Sequence, residues 1–163
     1  MIAAELRDAV LRGFPPGTSL VVLDAAAELE LGTLRGAQNV FLSGLEDAAA
    51  PADVLTAIRK AAPGARLFAL VQNAASLRAL AELYAGSPAA AGHPLVRAEL
   101  EPLFRAAGWS PLTVDPLEDE SFPAPSAFPV EIGTPAGLVF RFRDAETLAR
   151  ARALAYVVIA DPA

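Results

Sequence analysis

The chain has 163 residues, 54% of them apolar, and its formal net charge is −6 at pH 7. A chain of this length can bury roughly 70% of its unfolded surface, so it can form a sizeable core and is not disordered. The acidic balance argues against a nucleic-acid partner, because a phosphate backbone requires clustered Lys and Arg.

The residue types and segments that the sequence lacks exclude several locations and several kinds of site. No apolar run reaches the roughly 18–20 residues of a membrane span, and the start of the chain does not resemble a signal peptide. There are no cysteines, which excludes disulfides and thiolate metal sites. We therefore expect a cytoplasmic protein with no membrane segment and no metal site, folded as a single domain over residues 1–163.

The first part of the chain predicts a helix and two strands. Residues 2–12 carry apolar side chains at helical spacing. Residues 19–24 (SLVVLD) are typical of a buried strand that ends in a carboxylate, Asp24. Residues 28–38 leave room only for a helical turn or a loop, and residues 39–43 (NVFLS) predict the next strand.

Residues 45–73 predict one helix-to-strand unit of an open α/β sheet. Pro51 suits the first turn of a helix, where its missing N–H costs nothing. An apolar stripe follows at helical spacing, and Pro63 with Gly64 stops the helix. The apolar run at 66–71 is typical of a strand that is buried on both faces.

The middle of the chain predicts two more helices and a strand. Ser76 can cap a helix that runs to about residue 84. A second helix is expected at 97–107, and Gly108 suits the left-handed residue that ends it. A strand at 112–115 follows.

The last part of the chain begins with an acidic, proline-rich stretch, and residues 116–137 predict an irregular loop. Residues 138–143 (LVFRFR) alternate apolar and basic side chains, as an edge strand does. Asp144 can cap a helix over 145–152. Residues 155–160 (AYVVIA) predict the last buried strand.

Residues 39–115 resemble the second half of class I S-adenosylmethionine-dependent methyltransferases. The family pattern is a strand, Leu-Glu-His, a Pro-led helix, a Pro-Gly turn, a strand and Pro-Asn. This chain has Leu-Glu-Asp at 45–47, Pro-Gly at 63–64 and Gln-Asn at 72–73. The family's later Gly-His, Glu-Leu and Ala-Gly-aromatic pattern is matched at 92–93, 99–100 and 107–109.

The resemblance implies an α/β fold with three layers: a mostly parallel, Rossmann-like sheet with helices on both faces and an antiparallel C-terminal strand. About five or six strands are expected. The strands at 19–24, 39–43, 66–71 and 111–115 are expected to be parallel neighbours.

The chain departs from the family directly after Asp24. There the family has a Gly-rich turn that lets the backbone approach the cofactor closely. Here residues 25–28 read Ala-Ala-Ala-Glu, and no glycine appears until Gly32. The strand whose acid binds the cofactor ribose has no counterpart either. We therefore expect that the isolated chain does not bind S-adenosylmethionine.

A surviving ligand site would lie in the crevice at the strand ends, where open α/β sheets place their ligands. The candidate cofactor-binding residues are Asp24, Ser43, Glu46 and Asn73, each at or just beyond the end of a predicted strand. His93 is the only histidine and a candidate base or substrate contact; a purely structural role is the alternative.

Three functions are compatible with these features. The first is a catalytically silent, methyltransferase-like domain (a pseudoenzyme) used for protein interaction or assembly. The second is an S-adenosylmethionine-dependent methyltransferase completed by a partner or by a dimer. The third is a module that binds another small molecule at the strand ends. Because the shortened sheet leaves an unpaired edge, we expect a homodimer or a protein partner.

Overall fold

The computed structural model describes residues 2–27, 29–86, 95–135 and 137–163. These residues form helices α1 (Ile2–Arg12), α2 (Pro51–Ala61), α3 (Leu77–Tyr84), α4 (Arg97–Ala106) and α5 (Ala145–Arg152). Their strands are β1 (Val21–Asp24), β2 (Asn39–Ser43), β3 (Arg66–Gln72), β4 (Trp109–Glu118), β5 (Val130–Gly133), β6 (Val139–Phe142) and β7 (Ala153–Pro162). Short 3-10 turns occupy Leu31–Leu34 and Leu45–Asp47. None of the helices in the described residues is long and apolar enough to span a bilayer.

A five-stranded sheet in the order β1-β2-β3-β7-β4 forms the middle layer. β1, β2 and β3 pair in parallel, whereas β7 is antiparallel to both of its neighbours, β3 and β4. Four of the five strands therefore run in the same direction and the last strand runs against them. The predicted fold class is confirmed.

The prediction that the strand near 111–115 neighbours the parallel strands is wrong, because β7 lies between β3 and β4. Residues 153–160 of β7 are all buried or half-buried, so this strand suits the interior of the sheet. β4 contains Pro111 and Pro116, which lack the N–H that an interior strand needs. The edge position of β4 follows from those two prolines.

Helices cover both faces of the sheet, as predicted. On one face α2 and α4 bury Leu55, Leu100 and Phe104 against the apolar side chains of the strands. On the other face α1 packs against the sheet through Leu6 and Val10. The main core lies between the sheet and the pair α2 and α4.

The residues predicted to cap the helices lie at the helix termini: Ser76 and Asp144 at N-termini, and Gly108 after a C-terminus. Ser76 Oγ accepts the backbone N–H of Ala79 at 3.1 Å. Asp144 Oδ1 accepts the backbone N–H of Thr147 at 2.7 Å. Gly108 follows α4 with a φ of +84°, a left-handed conformation that favours glycine.

The segment 116–137 contains more regular structure than predicted. Its first residues extend β4 to Glu118, and β5 pairs with β6 in a hairpin apart from the main sheet. Phe122 and Ile132 are buried in a second apolar cluster with Leu77 of α3. Apolar side chains within the segment thus find a core of their own, which orders the chain around them.

Asp119 anchors the start of this segment. Its carboxylate is buried and accepts hydrogen bonds from Arg78 Nε at 2.8 Å and from the backbone N–H of Ser121 at 3.0 Å. Burial raises the pKa of Asp119, but the hydrogen bonds from Ser121 and Arg78 outweigh it and hold the pKa below its usual value. The charged form therefore stabilises the fold at neutral pH.

Replacing Asp119 by Asn is expected to lower the melting temperature at neutral pH. The charge-assisted hydrogen bonds that are lost contribute about 2 kcal/mol, which is a decrease of roughly 4–8 °C at this chain length. Because folding lowers the pKa of Asp119, the difference between variant and wild type is expected to disappear as the pH falls well below about 3.9. Thermal melts across the acid range test this, with the exposed neighbour Glu120→Gln as control. A difference that persists in acid would contradict it.

Candidate functional site

The carboxyl ends of β1, β2 and β3 meet at one edge of the sheet. Asp24, Ser43 and Gln72 are the last residues of these strands, and side-chain alternation directs all three to the face that α1 covers. Together with α1 they enclose a cleft of about 190 Å³, which we call the strand-end cleft. Its lining residues are Ala4, Arg7, Asp24, Ala26, Ser43, Gly44, Glu46, Asp47, Leu70 and Gln72.

The structure brings three of the predicted site residues together. Asp24, Ser43 and Glu46 all line the strand-end cleft. Asn73 follows the last residue of β3, so alternation turns it away, and it lines a different cavity. His93 lies outside the described residues.

The side chain of Asn73 links the end of β3 to the C-terminus of α5 through hydrogen bonds. Its side chain is buried, and Nδ2 donates to the carbonyl oxygens of Arg150 and Ala153, each at 2.9 Å. Its Oδ1 accepts the backbone N–H of Ala75 at 3.1 Å. Both donors of the amide are thus used within the fold, which is a structural role.

The turn after β1 folds back onto β2. Asp24 Oδ1 accepts the backbone N–H of Ala26 at 3.0 Å. The backbone N–H of Ala25, the first residue after β1, donates to the carbonyl oxygen of Ser43 at 2.7 Å. The carboxylate that ends β1 therefore caps its own turn.

Gly44 brings the chain after β2 against this same carboxylate. Its φ is +72°, and a Cβ added to it would lie 2.4 Å from Asp24 Oδ1. A Cβ at this position would displace the Asp24 carboxylate, and the positive φ itself disfavours any residue other than glycine. The turns after β1 and β2 are consequently in close contact where Gly44 meets Asp24.

Glu46 is a buried carboxyl group on the wall of the cleft. Only 7% of the residue is exposed, and Gln72 Nε2 donates to its Oε1 at 2.8 Å. Its Oε2 is buried with no hydrogen-bond partner among the described residues. Burial raises the pKa of Glu46, while hydrogen bonds from its own backbone and from Gln72 partly offset that effect. The charged form of Glu46 therefore destabilises the fold.

Replacing Glu46 by Gln is expected to raise the melting temperature at neutral and alkaline pH. Since folding raises the pKa of Glu46, the wild type loses stability as the pH rises through that pKa, whereas the amide does not. Below the usual Glu value of about 4.3 both side chains are neutral and the two melting temperatures are expected to converge. Thermal melts against pH measure this, and Asp115→Asn, which removes an exposed carboxylate of β4, is the control. A pH-independent difference would show that burial of charge is not the cause.

Most of the other cleft residues escaped prediction from the sequence, among them Gln72, Gly44 and Arg7. Gln72 had a usable signal, because counting back in twos along β3 gives Leu70 and Phe68, which both face α1. Gly44 had a weaker one, a glycine directly after a strand. Arg7 had none, since its place depends on how α1 packs on the sheet.

The chemistry that the cleft offers is modest. It combines three carboxyl groups (Asp24, Glu46 and Asp47), a hydroxyl and an amide with the side chain of Arg7. The buried Nε of Arg7 makes no hydrogen bond among the described residues and lies 3.6 Å from Asp8 Oδ1. No group of three His, Cys, Asp or Glu residues in the described part of the chain could hold a metal ion. The volume of the cleft is smaller than that of typical small-molecule sites, which measure about 300–1,000 Å³.

The fold of the chain matches solved structures, although its sequence matches no known family. No protein-family model matches it, and no curated protein gives a significant match. A complex of the Haloferax volcanii Trm112 methyltransferase activator with a methyltransferase matches with a TM-score of 0.53 and 19% identity, over 96% of this chain and 66% of that chain. The S-adenosylmethionine-dependent methyltransferase TM1293 of Thermotoga maritima matches with a TM-score of 0.52 and 14% identity, over 84% of this chain and 60% of that one.

A third match is RosA of Streptomyces davawensis, an N,N-8-amino-8-demethyl-D-riboflavin dimethyltransferase. Its TM-score is 0.52 at 16% identity, over 99% of this chain and 47% of RosA. The chain therefore has the fold of class I S-adenosylmethionine-dependent methyltransferases, which confirms the resemblance noted in the sequence. It spans less than two thirds of the length of each of these three proteins.

Proposed function

We propose that this chain is a methyltransferase-like assembly domain that does not bind S-adenosylmethionine by itself. The contact between Gly44 and Asp24 supports this most directly. In the methyltransferases a Gly-rich turn after the first strand lets the cofactor lie against the backbone. Here Gly44 lies against the Asp24 carboxylate, which accepts a hydrogen bond from the backbone N–H of Ala26, and this contact supports a turn that is closed to the cofactor.

The conformation of the turn supports the same proposal. Residues 25–27 are alanines, and no residue other than glycine has a positive φ in the described part of the chain. A turn that opens the backbone toward a cofactor commonly needs positive φ, which is costly for a residue with a Cβ. The strand-end cleft of about 190 Å³ is also small for a nucleoside joined to an amino acid.

The assembly role rests on the edge of the sheet at β1. In the described residues β1 pairs only with β2, so its outer edge is open, and Val22 on it is 47% exposed. Open edges invite pairing with a further strand. A second copy of this chain is the partner that we propose, because two identical edges can pair across a twofold axis. The methyltransferase in the complex with Trm112 has a similar fold and associates with a protein.

Thermal melts with and without S-adenosylmethionine test the cofactor half of the proposal. A ligand at about a hundred times its dissociation constant stabilises by roughly 2.7 kcal/mol, which is roughly 5–10 °C for a chain of this length. We expect no shift with S-adenosylmethionine or with its demethylated product. A shift of that size would overturn the proposal and favour a working methyltransferase.

Sedimentation of the purified chain tests the assembly half. We expect a dimer at micromolar concentration and a monomer for Val22→Glu, since a charge on the edge opposes pairing. Leu112→Glu is the matched control, because Leu112 is 54% exposed on the opposite edge strand, β4. A monomeric wild type at high micromolar concentration, or equal effects of the two substitutions, would count against pairing through β1.

A further inference from the structure

A groove of about 840 Å³ lies on the α4 side of the sheet, away from the strand-end cleft. Its walls are the first turn of α4, one side of α5 and the adjoining parts of β4 and β7, and we call it the α4–α5 groove. Its volume falls within the range of small-molecule sites. Its lining residues are Asn73, Ala75, Val96, Arg97, Ala98, Val114, Pro116, Glu146, Thr147, Ala149, Arg150, Ala151 and Tyr156.

Tyr156 is a buried residue that lines this groove. The residue is only 4% exposed, and no hydrogen bond of its hydroxyl is found among the described residues. Buried tyrosines normally engage their O–H. A hydroxyl that lines a groove without a partner is placed to bond a ligand there.

Two arginines, Arg97 and Arg150, line the same groove as Tyr156. Burial raises the pKa of the Tyr156 phenol, and the positive charges of Arg97 and Arg150 act in the opposite direction. Arg150 is paired with Glu146, whereas the ion pair of Arg97 with Glu101 is long, at 3.9 Å. Arg97 is therefore the less compensated of the two cations.

The end of α4 adds to this positive region. α4 has ten residues, and its N-terminal side at Val96, Arg97 and Ala98 lines the groove. The N-terminus of a helix carries a partial positive charge that favours anions. Here the carboxylate of Glu99 offsets part of that charge, since its Oε2 accepts a hydrogen bond from the backbone N–H of Val96 at 3.0 Å. The opposite wall is apolar, through Val114 and Pro116 of β4.

We propose that the α4–α5 groove binds a small organic anion, a phosphate or carboxylate carried on an apolar body. The anionic group accepts hydrogen bonds from the Tyr156 hydroxyl and the Arg97 guanidinium, and the apolar body lies against Val114 and Pro116. Asn73 makes this wall rigid by tying α5 to β3. The inference is independent of the assembly role proposed above, because the groove and β1 are on different parts of the sheet.

Titration calorimetry with phenyl phosphate tests the proposal, with inorganic phosphate and phenol as the two partial ligands. We expect saturable binding of phenyl phosphate at least about tenfold tighter than that of either partial ligand, because each satisfies only one wall of the groove. If inorganic phosphate binds as tightly as phenyl phosphate, the apolar wall contributes nothing and the proposal fails. The absence of saturable binding of phenyl phosphate at millimolar concentration also overturns it.

Two variants locate the anion. Tyr156→Phe and Arg97→Gln are each expected to weaken phenyl phosphate about tenfold, the effect of losing one hydrogen bond to a charged group. Tyr156→Phe is expected to keep the wild-type melting temperature, since the hydroxyl has no partner in the described residues. Arg105→Gln is the control, because it removes the same charge from the other end of α4. If Arg97→Gln and Arg105→Gln bind phenyl phosphate with equal affinity, the loss of binding comes from the change in net charge, and the proposed site is refuted.

Discussion

β7 is apolar along both of its faces, and a strand of that kind is stable only inside a sheet. It pairs with β3 on one side and with β4 on the other, and this pairing joins the parallel half of the molecule to the C-terminal half. β4 is left at the edge, where Pro111 and Pro116 cost no ladder hydrogen bonds. α5 leads directly into β7, so the position of this strand also determines where α5 and the groove beside it lie.

Alternation along β3 then divides the polar edge of the sheet into two regions. Gln72 turns toward α1 and joins Asp24, Ser43 and Glu46 in the strand-end cleft. Asn73, the next residue, turns toward α4 and α5 and lines the larger groove. A single crevice, of the kind that open α/β sheets use, is thus replaced by two separate cavities of different size and charge.

Three buried polar side chains have different effects because their neighbours differ. Asp119 is surrounded by hydrogen-bond donors, so its charge stabilises the fold. Glu46 is buried with one oxygen, Oε2, that has no hydrogen-bond partner among the described residues, so its charge destabilises the fold. The hydroxyl of Tyr156 makes no hydrogen bond with the described residues, and Arg97 and Arg150 line the same groove, so this is the group that we propose to recognise a ligand. Burial is common to all three; the neighbours decide the outcome.

The sequence by itself determined the fold class, the helices and most strand ends, because apolar periodicity and capping residues such as Ser76 and Asp144 are local signals. It also indicated that Asp24, Ser43 and Glu46 lie together, since the ends of parallel strands meet at one edge. Only the tertiary structure decided that β7 separates β3 from β4, that Asn73 leaves the site and that Arg97 and Tyr156 line one groove. These are contacts between residues far apart in the chain, and no local pattern records which distant side chains will share a cavity.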